Sequence, residues 1–284
     1  MRLLVLGASG IVGRAVVSEA LERGWQAHAA PRSEVDITDR ERVAESIAAT
    51  RPELVVNCAA FTRVDDCERD QDACLAVNGA AVGIVADEAA RQGARLLHIS
   101  SDYVFDGRSA VAYDEAAPTA PLSAYGRSKL EGERCALARS GALVVRTSAV
   151  FGTGGANFVD SIARRLWRGE APLRVVDDQV TAPTYAPFLA RALADLGESG
   201  AGGIWHYRNR EPVSWFALAC AVAGELGSTS EILPVPSSEV PRPAQRPARS
   251  VLAVEKFETT FGRRVEQWAE GLRRHLATVS EESA

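Results

Sequence analysis

Three side chains in this 284-residue sequence have the types and spacing of an acid–base site. Tyr125 and Lys129 stand four residues apart in Tyr-Gly-Arg-Ser-Lys, so a helix would place them one turn apart on the same face. Ser101 lies upstream in Ser-Ser-Asp-Tyr, at the end of an aliphatic run. A free phenol titrates near pH ~10, and a neighbouring ammonium would lower its pKa toward the working pH. We therefore expect Tyr125 to give a proton to a carbonyl oxygen that Ser101 polarises, in a site that needs no metal.

A glycine-rich turn follows the first aliphatic run. It reads Gly-Ala-Ser-Gly-Ile-Val-Gly over residues 7–13 and precedes a pattern of helical period. Dinucleotide folds use such glycines for a tight turn and for close approach of the backbone to a pyrophosphate, which the free amides of the next helix bind. We expect the following residues of the turn to bind a dinucleotide: Gly7, Ser9, Gly10, Ile11, Val12 and Gly13.

The residues after the second predicted strand bear on the choice of cofactor. NAD enzymes place Asp or Glu there to bind the ribose 2′-hydroxyl, whereas this chain has Ala-Ala-Pro-Arg-Ser at 29–33. Arg32, with Ser33 beside it, would suit a 2′-phosphate; the alternative is a solvated loop arginine. The sequence favours NADPH, with NADH still possible.

The elements that must position these residues alternate between short aliphatic runs and longer helical segments. This alternation predicts an α/β fold, a Rossmann-type doubly wound parallel sheet. The predicted strands are 2–6, 25–29, 54–57, 95–100 and 143–147, and the predicted helices are 11–23, 40–49, 72–92 and 124–140. Because right-handed crossovers bring the carboxyl ends of parallel strands to one edge, the glycine turn and Ser101 should meet there.

The alternation loosens in the second half of the chain. We expect residues 1–150 to form the dinucleotide-binding domain and 151–284 to form mainly a smaller substrate-binding lobe. Parts of 172–205 and about 245–256 should rejoin the first domain. The predicted helices here are 157–167, 185–196, 214–226 and 265–277, and the predicted strands are 173–176 and 204–207. Five prolines between Pro234 and Pro247 predict an extended connection.

Composition excludes several classes of protein. The chain is 46% apolar and 24% charged with a net charge of −5, which gives no electrostatic footprint for nucleic acid. No apolar stretch approaches the ~20 residues of a membrane span, so we expect a cytoplasmic protein, monomer or homodimer, whose five cysteines are reduced. Four histidines lie outside the glycine turn and the segments of Ser101, Tyr125 and Lys129, and are expected to be structural or on the surface: His28, His98, His206 and His275.

Eleven segments, taken in order, resemble those of the dTDP-4-dehydrorhamnose reductase family of extended short-chain dehydrogenases/reductases. They are 36–39, 61–65, 99–107, 125–129, 132–133, 145–148, 157–159, 178–179, 183–184, 214–216 and 246–248. The resemblance implies NADPH-dependent reduction of the 4-keto group of a nucleotide-activated 6-deoxysugar. It also implies that the nucleotide sugar is the partner of the protein.

The same resemblance implies further site residues. Lys129 would hold the nicotinamide ribose as well as act on Tyr125. Asp36, Ile37, Ala59 and Ala60 would lie along the cofactor. Asp102 and Tyr103 would line the sugar pocket, and the nucleotide part of the substrate would contact Asn157, Gln179 and Arg246.

The chain departs from the family pattern at two places. Ala149 stands where the family usually has a Trp beside the sugar, which opens a large volume, and Val180-Thr181 replaces an aromatic-Gly pair. The identity of the sugar is therefore open. Two other functions remain as alternatives: a nucleotide-sugar 4-epimerase, and a non-catalytic NADP-binding subunit resembling the regulatory subunit of methionine adenosyltransferase.

Overall fold

Six parallel strands form the central sheet of the protein, which a computed structural model describes over residues 1–282. The strands are β1 (Arg2–Leu6), β2 (Gln26–Ala30), β3 (Leu54–Asn57), β4 (Arg95–Ser101), β5 (Leu143–Thr147) and β10 (Gly203–His206). Their order across the sheet is β10-β5-β4-β3-β1-β2. The carboxyl ends of β1, β3 and β4 lie at the same edge because these strands run parallel in register.

Helices cover both faces of this sheet. The helices of the first part are α1 (Ile11–Glu22), α2 (Arg40–Thr50), α3 (Val64–Arg69), α4 (Gln71–Leu75), α5 (Ala81–Arg91) and α6 (Ala124–Leu137). Alternate strand residues point to opposite faces. Leu3 and Val5 therefore pack with α1 on one face, and Leu4 and Leu6 pack with α2 and α5 on the other. The predicted doubly wound α/β fold is confirmed.

The helical run 71–91 corrects the expectation that no segment is long and apolar enough for a membrane span. A π-helical turn (Ala76–Ala80) joins α4 to α5, and the most apolar 18-residue stretch of the run has a mean hydropathy of 1.4. Half of this stretch is buried inside the molecule, where Val82 and Val85 belong to the core under the sheet. A helix in a protein core can be as long and as apolar as one that spans a membrane, so length and hydropathy alone do not separate the two.

A second, smaller hydrophobic core lies beyond β5. Its helices are α7 (Phe158–Trp167), α9 (Trp215–Glu225) and α11 (Trp268–Glu282), and its short strands are β6 (Val150–Phe151), β7 (Leu173–Val176), β8 (Val180–Thr181), β9 (Thr184–Tyr185), β11 (Val213–Ser214) and β12 (Ile232–Val235). The chain returns to the central sheet through α8 (Ala186–Ser199), which packs on α1, and through β10; α10 (Glu255–Phe261) also packs on that face.

The proline-rich stretch is not wholly an extended connection, so that prediction is wrong at its start. Pro234 lies within β12, where it pairs in parallel with Val175 of β7 in a two-stranded sheet. A strand with only one neighbour can accept a proline because its other side needs no amide hydrogen for the ladder. Ser237–Glu239 then form a turn of 3-10 helix.

Candidate active site

Helix α6 carries Tyr125 and Lys129 and begins at the edge where β4 ends. The hydroxyl of Ser123 caps it by accepting the amide hydrogen of Gly126 at 3.1 Å. A Cβ at Gly126 would overlap the carbonyl oxygen of Tyr103, so a glycine is what lets the first turn of α6 lie against the residues that follow β4. This contact brings Tyr125 to the end of β4.

The structure brings the predicted phenol and alcohol together. The hydroxyl of Ser101 lies near enough to the phenol of Tyr125 to lower its pKa, and the ring of Tyr103 lies edge-on to the Tyr125 ring with centroids 5.7 Å apart. Ser101 is the last residue of β4, and its hydroxyl oxygen accepts the amide hydrogen of Tyr103 at 3.2 Å. The hydroxyl is thereby fixed at the mouth of the site.

Lys129 lies one turn further along α6, with its side chain 2% exposed. Its ammonium donates a hydrogen bond of 2.6 Å to the carbonyl oxygen of Ile99, two residues before Ser101. Burial lowers the pKa of Lys129 to about 8, against the opposing effect of Glu133. The predicted cation is therefore beside β4 and close to losing its charge in mildly alkaline solution.

The expected direction of the Tyr125 pKa is wrong for this structure. Burial raises the pKa of Tyr125, the hydrogen bond with Ser101 lowers it, and the carboxyl of Asp102 raises it again. The reason is that desolvation of the phenolate dominates, while the ammonium of Lys129 is turned toward the Ile99 carbonyl. Tyr125 is thus protonated at neutral pH, the state that a proton donor requires.

His98 belongs to the site, although the sequence placed it outside. It is fully buried on β4, with Nε2 at 3.4 Å from Lys129 Nζ and Nδ1 at 3.3 Å from the Asn57 amide nitrogen. Burial, and then the charge of Lys129, hold the pKa of His98 well below its ordinary value, so the ring is neutral. The sequence signal that could have placed His98 in the site is its position in the predicted strand β4, where it pairs with Asn57 of β3.

A buried ion pair supports α6 from below. Glu133, one turn after Lys129, accepts two hydrogen bonds from Arg146 of β5, at 2.8 Å and 2.7 Å. Ser100 of β4 donates a third, at 2.5 Å. Removing one partner would leave an uncompensated buried charge, so the pair fixes α6 against both strands.

Asp102 is 2% exposed, so little of it faces an open sugar pocket. Its carboxyl accepts hydrogen bonds from Ser101 Oγ at 3.0 Å and from Ser250 Oγ at 2.5 Å. Burial raises the pKa of Asp102 to about 7 even though both hydroxyls lower it. Tyr103, half-buried next to it, has a pKa raised by burial to about 12.

The glycine turn fits the pyrophosphate of a dinucleotide. A Cβ at Gly13 would overlap the Gly7 carbonyl oxygen, and one at Gly7, where φ is +72°, would lie 2.6 Å from the Ala59 nitrogen. A Cβ at Gly10 would meet only the Gly7 oxygen, at 3.5 Å, an ordinary contact. Gly10 also begins α1 without a side-chain cap, so the first amides of the helix remain available to an anion.

The other residues of the turn lie at the same edge. Ser9 is exposed, and Ile11 and Val12 are half-buried, as are Ala59 and Ala60 after β3. The Ala59 amide donates to the Asn57 side chain at 3.1 Å. Together they form an open rim above the ends of β1 and β3.

Arg32 and Ser33 lie exposed in the loop after β2. The guanidinium of Arg32 is 81% exposed and 3.3 Å from the carboxylate of Asp36, which Thr38 also holds through its amide and hydroxyl. These hydrogen bonds, those of Thr38 first, lower the pKa of Asp36. Ile37 is 3% exposed and packs in the core. Arg32 is therefore free to swing toward a phosphate.

Two of the residues predicted to contact the substrate nucleotide, Asn157 and Arg246, are hydrogen-bonded to other residues of the protein. Arg246 forms a two-pronged ion pair with Asp65 of α3, both contacts 2.9 Å long. Asn157 caps α7 by accepting the Asp160 amide hydrogen at 2.9 Å. Gln179 is half-exposed before β8. Their contacts with a substrate stay predictions, as does that of Ala149, which is half-buried with φ at +41°.

Comparison with known proteins places the chain in a family. A model of the RmlD substrate binding domain family matches residues 1–281. The chain belongs to this family. A dTDP-4-dehydrorhamnose reductase of Mycobacterium tuberculosis is 39% identical over 284 residues, which cover 97% of this chain and 92% of that protein. A probable dTDP-4,6-dihydroxy-2-methyloxan-3-one 4-ketoreductase of Streptomyces antibioticus is 38% identical over 278 residues, covering 96% and 94%.

A solved structure agrees with these relatives. The crystal structure of a dTDP-4-dehydrorhamnose reductase from Bacillus anthracis in complex with NADP matches with a TM-score of 0.93 and 30% identity, covering 98% of this chain and 99% of that one. The predicted reductase family is confirmed. The predictions of an oxidoreductase and of an NADP cofactor are confirmed at the level of that family.

Proposed function

We propose that the protein reduces the 4-keto group of a nucleotide-activated 6-deoxysugar with NADPH. The observation that carries the proposal is the placement of the Tyr125 phenol beside the Ser101 hydroxyl, at the sheet edge that also holds the glycine turn. A protonated phenol beside a fixed hydroxyl is what a carbonyl oxygen needs as it gains negative charge.

Each residue of the trio has one task in this reaction. Ser101 donates a hydrogen bond to the carbonyl oxygen, and Tyr125 gives that oxygen its phenolic proton. Lys129, held at the Ile99 carbonyl, lies under Tyr125 on the same helix face and offers its remaining hydrogens to the cofactor ribose. NADPH supplies the hydride to carbon 4 of the sugar.

The cofactor would be held along the rim already described. The uncapped amides of α1 receive the pyrophosphate, and Gly10 leaves room for it. Arg32 binds the 2′-phosphate after releasing Asp36, a change that costs little because the pair is exposed and 3.3 Å long.

The sugar is dTDP-4-dehydrorhamnose or a close relative. Two relatives support this proposal: the dTDP-4-dehydrorhamnose reductase and the probable dTDP-4,6-dihydroxy-2-methyloxan-3-one 4-ketoreductase both align over nearly the whole chain. Ala149, in place of a large ring, would leave room for a sugar whose substituents differ from those of rhamnose.

The test mixes the purified protein with NADPH and dTDP-4-dehydrorhamnose, and follows the absorbance of the reduced nicotinamide. We expect NADPH oxidation, with dTDP-rhamnose or its C4 epimer as product. Tyr125→Phe keeps the ring but lacks the proton and should lose about 100-fold or more in kcat while still binding NADPH. Cofactor binding without turnover of this ketone or other dTDP-4-keto-6-deoxyhexoses would favour a binding subunit, and C4 inversion of a sugar without net oxidation would favour an epimerase.

A further inference from the structure

A chain of hydroxyl and carboxyl groups runs away from the candidate proton donor into the protein. The Tyr125 phenol lies beside the Ser101 hydroxyl, Ser101 Oγ lies 3.0 Å from Asp102 Oδ1, and Asp102 Oδ2 lies 2.5 Å from Ser250 Oγ. Ser101, Asp102 and Ser250 are 7%, 2% and 3% exposed. This row of hydrogen-bonding groups is therefore shielded from water except at Tyr125, which faces the candidate active site.

A buried carboxylate in this position costs folding free energy, so its presence calls for a role that only an acid can fill. Burial disfavours its charged form, and two hydroxyl donors offset that cost only in part. An amide is nearly the same size and could keep one of these accepted hydrogen bonds, with its NH2 group donating to the other hydroxyl, and it would not ionise. An acid differs from an amide in one respect that matters here, since it can supply a proton.

We propose that Asp102 is a positioning and relay residue that returns a proton to Tyr125 through Ser101 after each reduction. The inference rests on the proposed function, because Tyr125 must first lose its proton to the substrate.

The steps balance without any further reactant. The phenolic O–H of Tyr125 breaks as its proton passes to the carbonyl oxygen. The Ser101 hydroxyl then gives its proton to the phenolate oxygen, and the protonated carboxyl of Asp102 gives its own to Ser101. Asp102 is left as a carboxylate, which accepts the Ser101 and Ser250 hydroxyls in the arrangement observed. Once product leaves, a proton from water travels the same path inward and restores the acid.

The acidity of Asp102 suits this task. A pKa of about 7 leaves the carboxyl partly protonated near neutral pH, where a relay group works in both directions. Tyr125 of α6 and Tyr103 lie next to Asp102. The charges that act on these two tyrosines come from several elements: Arg242, Arg246, Asp65 and Cys67.

The pH dependence of kcat tests the relay. Because the acid form is the one that donates, wild-type kcat should fall as pH rises past about 7. Ser250→Ala removes a hydrogen bond that lowers the pKa of Asp102, so the fall should move to higher pH. Asp102→Asn should abolish the fall and reduce kcat about 100-fold at the low end of the range, with little change in KM.

Asp106→Asn is the matched control. Asp106 lies four residues further on, where it accepts the Tyr113 hydroxyl at 2.6 Å, and its replacement should leave the fall at the wild-type pH. A fall that persists in Asp102→Asn, or that does not move in Ser250→Ala, would overturn the relay. If Asp102→Asn does not fold, the Ser250→Ala shift decides alone. A wild type without turnover at any pH would instead contradict the proposed function.

Discussion

At the scale of single residues, the side chain types could be predicted but their electrostatics could not. The four-residue spacing of Tyr125 and Lys129, together with the place of Ser101 at the end of a predicted strand, singles out these side chains in the sequence, and the structure brings them to the end of β4. The direction of the Tyr125 pKa depends on how much water the fold removes, which no spacing reveals. His98 lies in the site because strand register places it beside Asn57. Ser250 lies there because a segment far away in the sequence passes next to Asp102.

Arg32 gives a prediction at this scale. Arg32→Ala should raise the Kd for NADPH about tenfold or more, and change the Kd for NADH by less than about twofold, because only NADPH carries the 2′-phosphate. Titration of protein fluorescence with each cofactor measures both values. Arg42→Ala, an exposed arginine on α2, is the control. Equal losses for the two cofactors would show that Arg32 does not bind the phosphate.

At the scale of elements, the glycines of the turn separate into two kinds. Gly13 is required by packing, since a Cβ there would overlap the Gly7 carbonyl. Gly10 is not, since its backbone has an ordinary φ of −77° and a Cβ would find room. The absence of a side chain at Gly10 leaves an open volume above the turn, and the proposed pyrophosphate would occupy that volume.

The two glycines therefore predict opposite effects of the same substitution. Gly10→Ala should weaken NADPH binding about tenfold or more and change the free energy of unfolding by less than about 1 kcal/mol. Gly13→Ala should cost about 1–3 kcal/mol of stability through overpacking. Thermal unfolding and cofactor titration of both variants check this. Normal NADPH affinity in a well-folded Gly10→Ala protein would contradict the placement of the pyrophosphate.

Strands of the central sheet were predictable because buried parallel strands read as continuous aliphatic runs. β1, β3 and β5 match their predicted bounds, and β2 is displaced by one residue. The short helix α3 was missed, because its six residues Val-Asp-Asp-Cys-Glu-Arg are too few to show a helical period. β12 was missed because its pairing with β7, rather than its own sequence, makes Pro234 acceptable in a strand.

At the scale of the whole molecule, residues 244–254, the returning segment, tie the second lobe to the active site. Arg246 pairs with Asp65 of α3, Arg249 donates its amide to the Gly107 carbonyl, and Ser250 reaches Asp102. The segment also runs beside β8, where the Val180 amide donates to the Ala248 carbonyl at 2.8 Å. The candidate site is thus completed by chain from both ends of the sequence, which local patterns do not predict.

The central claim is that this site passes hydride from NADPH to carbon 4 of a nucleotide sugar while Tyr125 protonates the oxygen. The most direct measurement uses NADPH that carries deuterium at both positions of carbon 4 of the nicotinamide, with dTDP-4-dehydrorhamnose as acceptor, and locates the label in the product by mass spectrometry and NMR. We predict one deuterium, bound to carbon 4 of the sugar, and about 100-fold slower labelling with Tyr125→Phe. Product without deuterium at that carbon, or labelling by Tyr125→Phe at the wild-type rate, would contradict the account.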